Sequence, residues 1–303
     1  MNIGATGIVI DHYGDVLLIQ RNDTRTLAPP GGSSEIGELP TETVEREVKE
    51  ETGLIVMPVR LVGLYYFPTT KQNYLSFCFR CIMRGGQIKK TEEALQAGFF
   101  KANPLPGPML EFHKKRVSQS LTHQDGAPLL VTQEFPWRLR LGKWVLDHII
   151  YPWLDLRRRQ QGIERYQEPP QWRVTNYLII KNNEGKILWA KAKNSNEWNL
   201  PYIESQPNQA PWETAAQMVK NPREIGFHLS RLTGIDTAEN SPEMALIYSA
   251  LIDSGIPVLE NSNQVEFVSV GDEFPFTSPQ HISWIKNSLK NEGDVHYSRP
   301  HLS

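Results

Sequence analysis

The stretch from Gly32 to Leu54 constrains this chain more than any other. Pro29, Pro30, Gly31 and Gly32 open it as a rigid loop, and five residues separate Gly32 from Glu38. Arg46-Glu47-Val48 follows, then Glu50-Glu51, Gly53 and Leu54. Pro40 fits the first position of a helix and Gly53 its C-terminal stop, so the spacing predicts a helix through Thr41 to Thr52. On that helix Glu47, Glu50 and Glu51 stand at i, i+3 and i+4, and their carboxylates share a face. Each like-charged i,i+4 pair costs about a few tenths of a kcal/mol. A hard divalent cation removes that cost, because it prefers oxygen ligands. Mg²⁺ takes few protein carboxylates and leaves room for phosphate oxygens, with Mn²⁺ a substitute. Val44 and Val48 supply the apolar stripe that pins the helix. Gly31 and Gly32 let the backbone pass close to the metal site.

The pattern Gly-x5-Glu-x7-Arg-Glu-U-x-Glu-Glu-x-Gly-U, with U apolar, is matched at every defined position. It resembles the Nudix box, in the ADP-ribose pyrophosphatase-like branch of that family. The resemblance covers about residues 1–125. Pro29-Pro30 replaces the commoner Leu-Pro, and Thr43-Val44 replaces the usual alanines; neither departure touches a proposed ligand. The resemblance implies an α/β (α+β) Nudix fold, a mixed β-sheet sandwiched between helices. It implies a Mg²⁺-dependent hydrolase with Glu47, Glu50 and Glu51 as catalytic metal ligands and Gly32 in the metal site. It also implies that Arg46 pairs with Glu38, while Gly31 and Gly53 complete the structural box.

The reaction class follows from the chemistry. A diphosphate linkage is anionic and repels hydroxide. Bound Mg²⁺ neutralises phosphates, orients them and lowers the pKa of an attacking water, whose proton a carboxylate accepts. The family places that base variably, in the box or on a later loop. Glu93 is the candidate outside the box, with Glu92 adjacent; it precedes an aromatic pair at Phe99-Phe100 and then Leu105-Pro106, as a family segment does. A solvated loop carboxylate is the competing reading. Arg21, at the end of the second strand, is a candidate for a substrate phosphate. Tyr66, with Tyr65 and Phe67, is a candidate for stacking on a base, against core packing for two of the three.

The chain has 303 residues, which suggests two domains at roughly 150 residues each. Lys and Arg total 32 against 34 Asp and Glu, so nothing general points to nucleic acid. The N-terminus lacks the pattern of a signal peptide, and no apolar run reaches about 18 residues, so no membrane span is expected and the cytoplasm is the default compartment. Cys78 and Cys81 match Cys-x-x-Cys. A structural zinc needs four ligands, and on a strand these two point to opposite faces, so they read as ordinary strand residues.

Strands are expected at Ile3–Ile10, Val16–Ile19, Arg60–Tyr66 and Tyr74–Met83, and a helix at Leu110–Leu121. Residues 138–161 read as an amphipathic linker, or as a membrane-surface helix. A second region repeats the outline of the first: strands at Val174–Ile180 and Lys186–Ala190, and His281, Ile285 and Leu289 spaced like His113, Val117 and Leu121. This predicts tandem folds: a catalytic domain over 1–130, a linker over 131–168, and a degenerate copy over 169–303. Aligning Thr233-Gly234-Ile235 with Thr52-Gly53-Leu54 sets His228, Arg231 and Leu232 opposite the three glutamates. Tyr202 and Ile203 replace the two glycines, so no acidic cluster remains.

The expected activity is cleavage of a phosphoanhydride bond in a nucleoside diphosphate derivative, ADP-ribose or a nucleotide sugar first. NTPs and dinucleotides remain open as substrates. The rival class is a nucleotide-sensing Nudix-type regulator that controls transcription, which the intact glutamates and the mild acidity disfavour. The expected partners are a small nucleotide and, through the duplicated surface, a second copy in a homodimer.

Overall fold

The computed structural model describes residues 1–22, 24–68, 73–89, 94–133, 169–192, 197–270, 278–290 and 294–299. Strand β1 (Asn2–Val9) and β2 (Asp15–Arg21) form where apolar, β-branched residues flank a turn. The Asp11 carboxylate closes that turn by accepting the N–H groups of Tyr13 and Asp15, both at 2.9 Å. β3 (Leu27–Ala28) and β4 (Gly31–Ser33) lead into helix α1 (Pro40–Thr52). Glu42 fixes the start of α1 by accepting the Leu39 N–H at 2.9 Å, and Gly53, with φ 79°, ends it. β5 (Leu54–Phe67), β6 (Tyr74–Gly86), β7 (Ala94–Lys101), α2 (Glu111–Thr122) and β8 (Leu129–Thr132) complete the first unit. It runs through Thr132, past the boundary expected at 130.

One sheet has the order β4-β1-β6-β5-β8 and a smaller one β3-β2-β7. β1 alternates as a strand must: Ala5 and Val9 pack with Val44 and Val48 of α1, and Ile8 packs with Val117 of α2. The mixed sheet therefore lies between the two helices. Cys78 and Cys81 are buried free thiols on β6, one in each of those opposed clusters. Burial pushes the Cys78 thiol up to about 12, so neither is a reactive nucleophile.

The second unit contains β9 (Arg173–Lys181), β10 (Ile187–Ala192), β11 (Trp198–Asn199), β12 (Tyr202–Glu204), α3 (Pro211–Gln217), β13 (His228–Thr237), β14 (Glu243–Leu251), β15 (Ser262–Val268), α4 (Pro279–Lys290) and β16 (His296–Ser298). Its pairings repeat those of the first. Parallel β1 with β6 recurs as β9 with β14, and parallel β5 with β8 as β13 with β16. The short antiparallel pair Thr6↔Gly31 recurs as Tyr177↔Tyr202. Residues 138–161, the expected amphipathic linker, lie outside the described residues.

The alignment expected around Gly234 is corrected. Gly234 lies inside β13, opposite Ile247 and His296, as Gly63 lies opposite Cys78 and Leu129. The counterpart of α1 is α3, which opens on Pro211 with Glu213 reaching back to Ala210, as Pro40 and Glu42 do. In that register Met218, Asn221 and Pro222 stand opposite Glu47, Glu50 and Glu51, not His228, Arg231 and Leu232. Pro222 cannot continue a helix, which is consistent with α3 stopping early.

The two units meet across a local pseudo-twofold. The Met1 amino group donates to Trp172 O at 2.7 Å, and Trp172 N–H returns to Met1 O at 2.8 Å. Arg299, just beyond β16, bonds Glu42, while Thr132, at the end of β8, bonds Glu213 at 3.0 Å. Tyr66 meets Trp212 edge-on at 6.4 Å, and one apolar cluster runs through both units.

Candidate active site

The loop before α1 and the acidic face of α1 touch without intervening side chains. Gly31 N–H donates to Glu51 Oε2 at 2.8 Å. A Cβ on Gly32 would come within 2.5 Å of the Glu47 carboxylate. Gly31 has φ 153°, and a Cβ there would meet Ala5 O at 2.2 Å. The Gly31 approach needs glycine, whereas at Gly32 the end of the Glu47 side chain would have to give way.

Arg46 organises the acids. Its Nε and Nη2 donate to Glu38 at 2.6 and 2.9 Å, and Nη2 also reaches Ser33 O at 2.9 Å. That bidentate pair ties the loop to the helix. Burial pushes the Glu38 carboxyl up, but Arg46, the Glu35 N–H and Thr43 outweigh it and hold the group below its ordinary range. Nη1 of Arg46 bridges Glu47 at 2.9 Å and Glu50 at 3.1 Å. Glu47 is 12% exposed and Glu50 46%, while Glu51 is buried. Among the described residues, no three acidic, histidine or cysteine side chains converge as a metal cage; two of the three glutamates instead share Arg46. The donor set nevertheless suits Mg²⁺, which needs only one or two carboxylates, and the glycine backbone lies open beside them.

A second group of polar side chains gathers on the α2 side of β1. The Tyr74 hydroxyl lies where a Cβ on Gly4 would be, 2.2 Å from that position, with Gly32 O 2.3 Å from it. Arg116 of α2 is 3% exposed and donates to Thr6 Oγ1 at 3.1 Å. Its guanidinium lies 4.9, 5.2 and 5.8 Å from the rings of Tyr65, Phe67 and Phe112. Its Nε has no hydrogen-bond partner, and no carboxylate pairs with it among the described residues. An uncompensated buried ion costs roughly several kcal/mol. Ring faces return only about 1–2 kcal/mol. Burial, then Arg116 and last Arg21, the expected phosphate contact at the end of β2, hold the His113 imidazole well below its ordinary pKa. His113 Nδ1 is buried with no hydrogen-bond partner among the described residues. Arg116, Tyr74 and His113 were not singled out in the sequence as site residues. A cation three residues after His113 on the apolar stripe of α2 was the available signal.

Tyr66 is corrected as a stacking platform: it is fully buried against Trp212 between the two units, so a base cannot reach its face. Glu93 lies outside the described residues.

Residues 1–121 match the NUDIX domain family. An ADP-ribose pyrophosphatase of Methanocaldococcus jannaschii is 34% identical over 123 residues, 39% of this chain and 72% of that protein. A MutT-like protein of Streptomyces ambofaciens is 32% identical over 126 residues, 42% of this chain and 79% of that protein. The mouse (Mus musculus) 8-oxo-dGDP phosphatase NUDT18 is 31% identical over 139 residues, 43% of this chain and 42% of that protein. The chain belongs to the Nudix family, as a pyrophosphohydrolase. No helix among the described residues is long and apolar enough to cross a membrane.

Proposed function

We propose that the first unit hydrolyses a phosphoanhydride bond in a nucleoside diphosphate derivative, with Mg²⁺ held by Glu47, Glu50 and Glu51 of α1 beside Gly32. The observation that carries this reading is the contact of the bare Gly31-Gly32 backbone with Glu47 and Glu51. When bound, the cation neutralises phosphate charge and makes water a better nucleophile. The chain's own residues supply position. Gly31 N–H orients Glu51, and Arg46 orients Glu47 while tying Glu38 and the loop to the helix. Glu93 is retained on sequence grounds as the acceptor of the water's proton. The substrate proposed first is ADP-ribose, because a 34% identical relative is named for it. Another relative is named for 8-oxo-dGDP, also a nucleoside diphosphate.

The second unit is proposed to be a Nudix-like pseudo-domain that packs against the first, in a cytoplasmic protein. Its α3 region carries Met218, Asn221 and Pro222 where carboxylates would stand, so it contributes surface and no metal chemistry. The deciding experiment is a panel of ADP-ribose, ADP-sugars, 8-oxo-dGDP, NTPs and dinucleotides. Phosphate release is read after phosphatase coupling, with and without Mg²⁺. ADP-ribose turnover that disappears with chelator supports the reading. Silence across the panel, with DNA binding instead, would establish the regulator.

A further inference from the structure

We infer that Arg116 is a phosphate-binding residue of the proposed active site, gripping a phosphoryl oxygen of the nucleoside diphosphate from the α2 side, opposite the carboxylates of α1. This rests on the hydrolase reading and deepens it.

Three observations carry the inference. Arg116 is a cation enclosed by Tyr65, Phe67 and Phe112, with Thr6 as its neutral partner and Nε unsatisfied. A guanidinium presents a fork of N–H donors that matches phosphate, so an anion from outside supplies what the fold withholds. Second, Arg116 is next to the candidate metal site. Arg116 donates to Thr6, Thr6 pairs with Gly31 across β1 and β4, and the Tyr74 hydroxyl and Gly32 O lie 2.2 and 2.3 Å from one point, the place of a Cβ on Gly4.

Third, the second unit shows what this position holds when nothing is needed from it. Counting from His113 and His281, Arg116 corresponds to Trp284. Trp284 is buried, and its Nε1 donates to Asp236 at 3.1 Å. The same place on the same helix is thus filled by a neutral side chain with its partner supplied. The fold does not require a cation there. A core role for Arg116 predicts that removing it destabilises the protein. A ligand role predicts that removing it leaves the free protein as stable, or more so, and weakens anion binding.

The test uses the full chain and its Arg116→Met variant. Binding of α,β-methylene-ADP with Mg²⁺ is measured by calorimetric titration, and Tm with and without that ligand. We expect Kd to rise about tenfold or more in R116M, the ligand-induced rise in Tm to shrink, and the ligand-free Tm to hold or increase. Binding by R116M within about twofold of the parent overturns the proposal. If R116M does not fold, Arg116→Gln, which keeps an N–H for Thr6, carries the same comparison. Hydrolysis by the parent on the substrate panel separates the two ideas. A parent that hydrolyses while R116M binds normally removes Arg116 alone. A parent that binds through Arg116 but hydrolyses nothing removes the hydrolase reading alone.

Discussion

Glu51 is the most enclosed of the three glutamates proposed to hold the metal, and it accepts the Gly31 N–H. Glutamine in its place keeps an oxygen for Gly31 and removes the charge. Glu51→Gln should therefore lower kcat by about two orders of magnitude or more while Tm moves by only a few degrees. Near-parental kcat at saturating Mg²⁺ would remove Glu51 from the site. Glu38 makes a different prediction. Its folded carboxyl lies below the ordinary value of 4.5. A depressed carboxylate contributes stability that is full above that value and is lost as pH falls through the folded one. Between about pH 5 and 3 the parent's Tm should fall more steeply than that of Glu38→Gln. Parallel Tm–pH curves would show that the Arg46 pair adds no net stability.

At the scale of elements, the decisive junction is β4 against α1. The loop reaches the helix because two residues lack side chains. Gly32→Ala puts a methyl group within 2.5 Å of the Glu47 carboxylate, so either the loop or Glu47 must move. Alanine there should displace the Glu47 carboxylate and cost at least about tenfold in kcat/KM with little loss of stability, measured by initial rates and urea unfolding. A variant with parental kcat/KM would mean that the loop does not position the site. α1, with its proline start, glycine stop and flanking strands, was legible in the sequence, because those signals are local. The counterpart in the second unit was placed in the wrong register. Thr233-Gly234-Ile235 looks like a helix stop, yet Gly234 serves the crowded β13 pairing, a role that only strand neighbours assign.

Across the whole molecule, the two units use related surfaces on each other. Met1 faces Trp172, and Glu42 and Glu213 each take a bond from the other unit. Such a contact is isologous, as in a C2 dimer, but closed within one chain. Expressed alone, residues 1–133 should melt at least several degrees below the full chain and self-associate, because Tyr66 and its neighbours lose Trp212. Differential scanning calorimetry with light scattering checks this. An unchanged Tm in a monomeric fragment would show that the second unit does not support the first.

The sequence by itself determined the acidic helix, the glycine loop and the alternation that hides Cys78 and Cys81. Each is written in short-range spacing, and helix and strand periods translate spacing into faces. Tertiary structure decided the rest. It turned Tyr66 from a stacking candidate into an interface residue. It brought Arg21, Tyr74, His113 and Arg116 together from β2, β6 and α2. Burial and charge pairing depend on which distant segments meet, and no local pattern states that Arg116 would be enclosed with no carboxylate paired to it among the described residues.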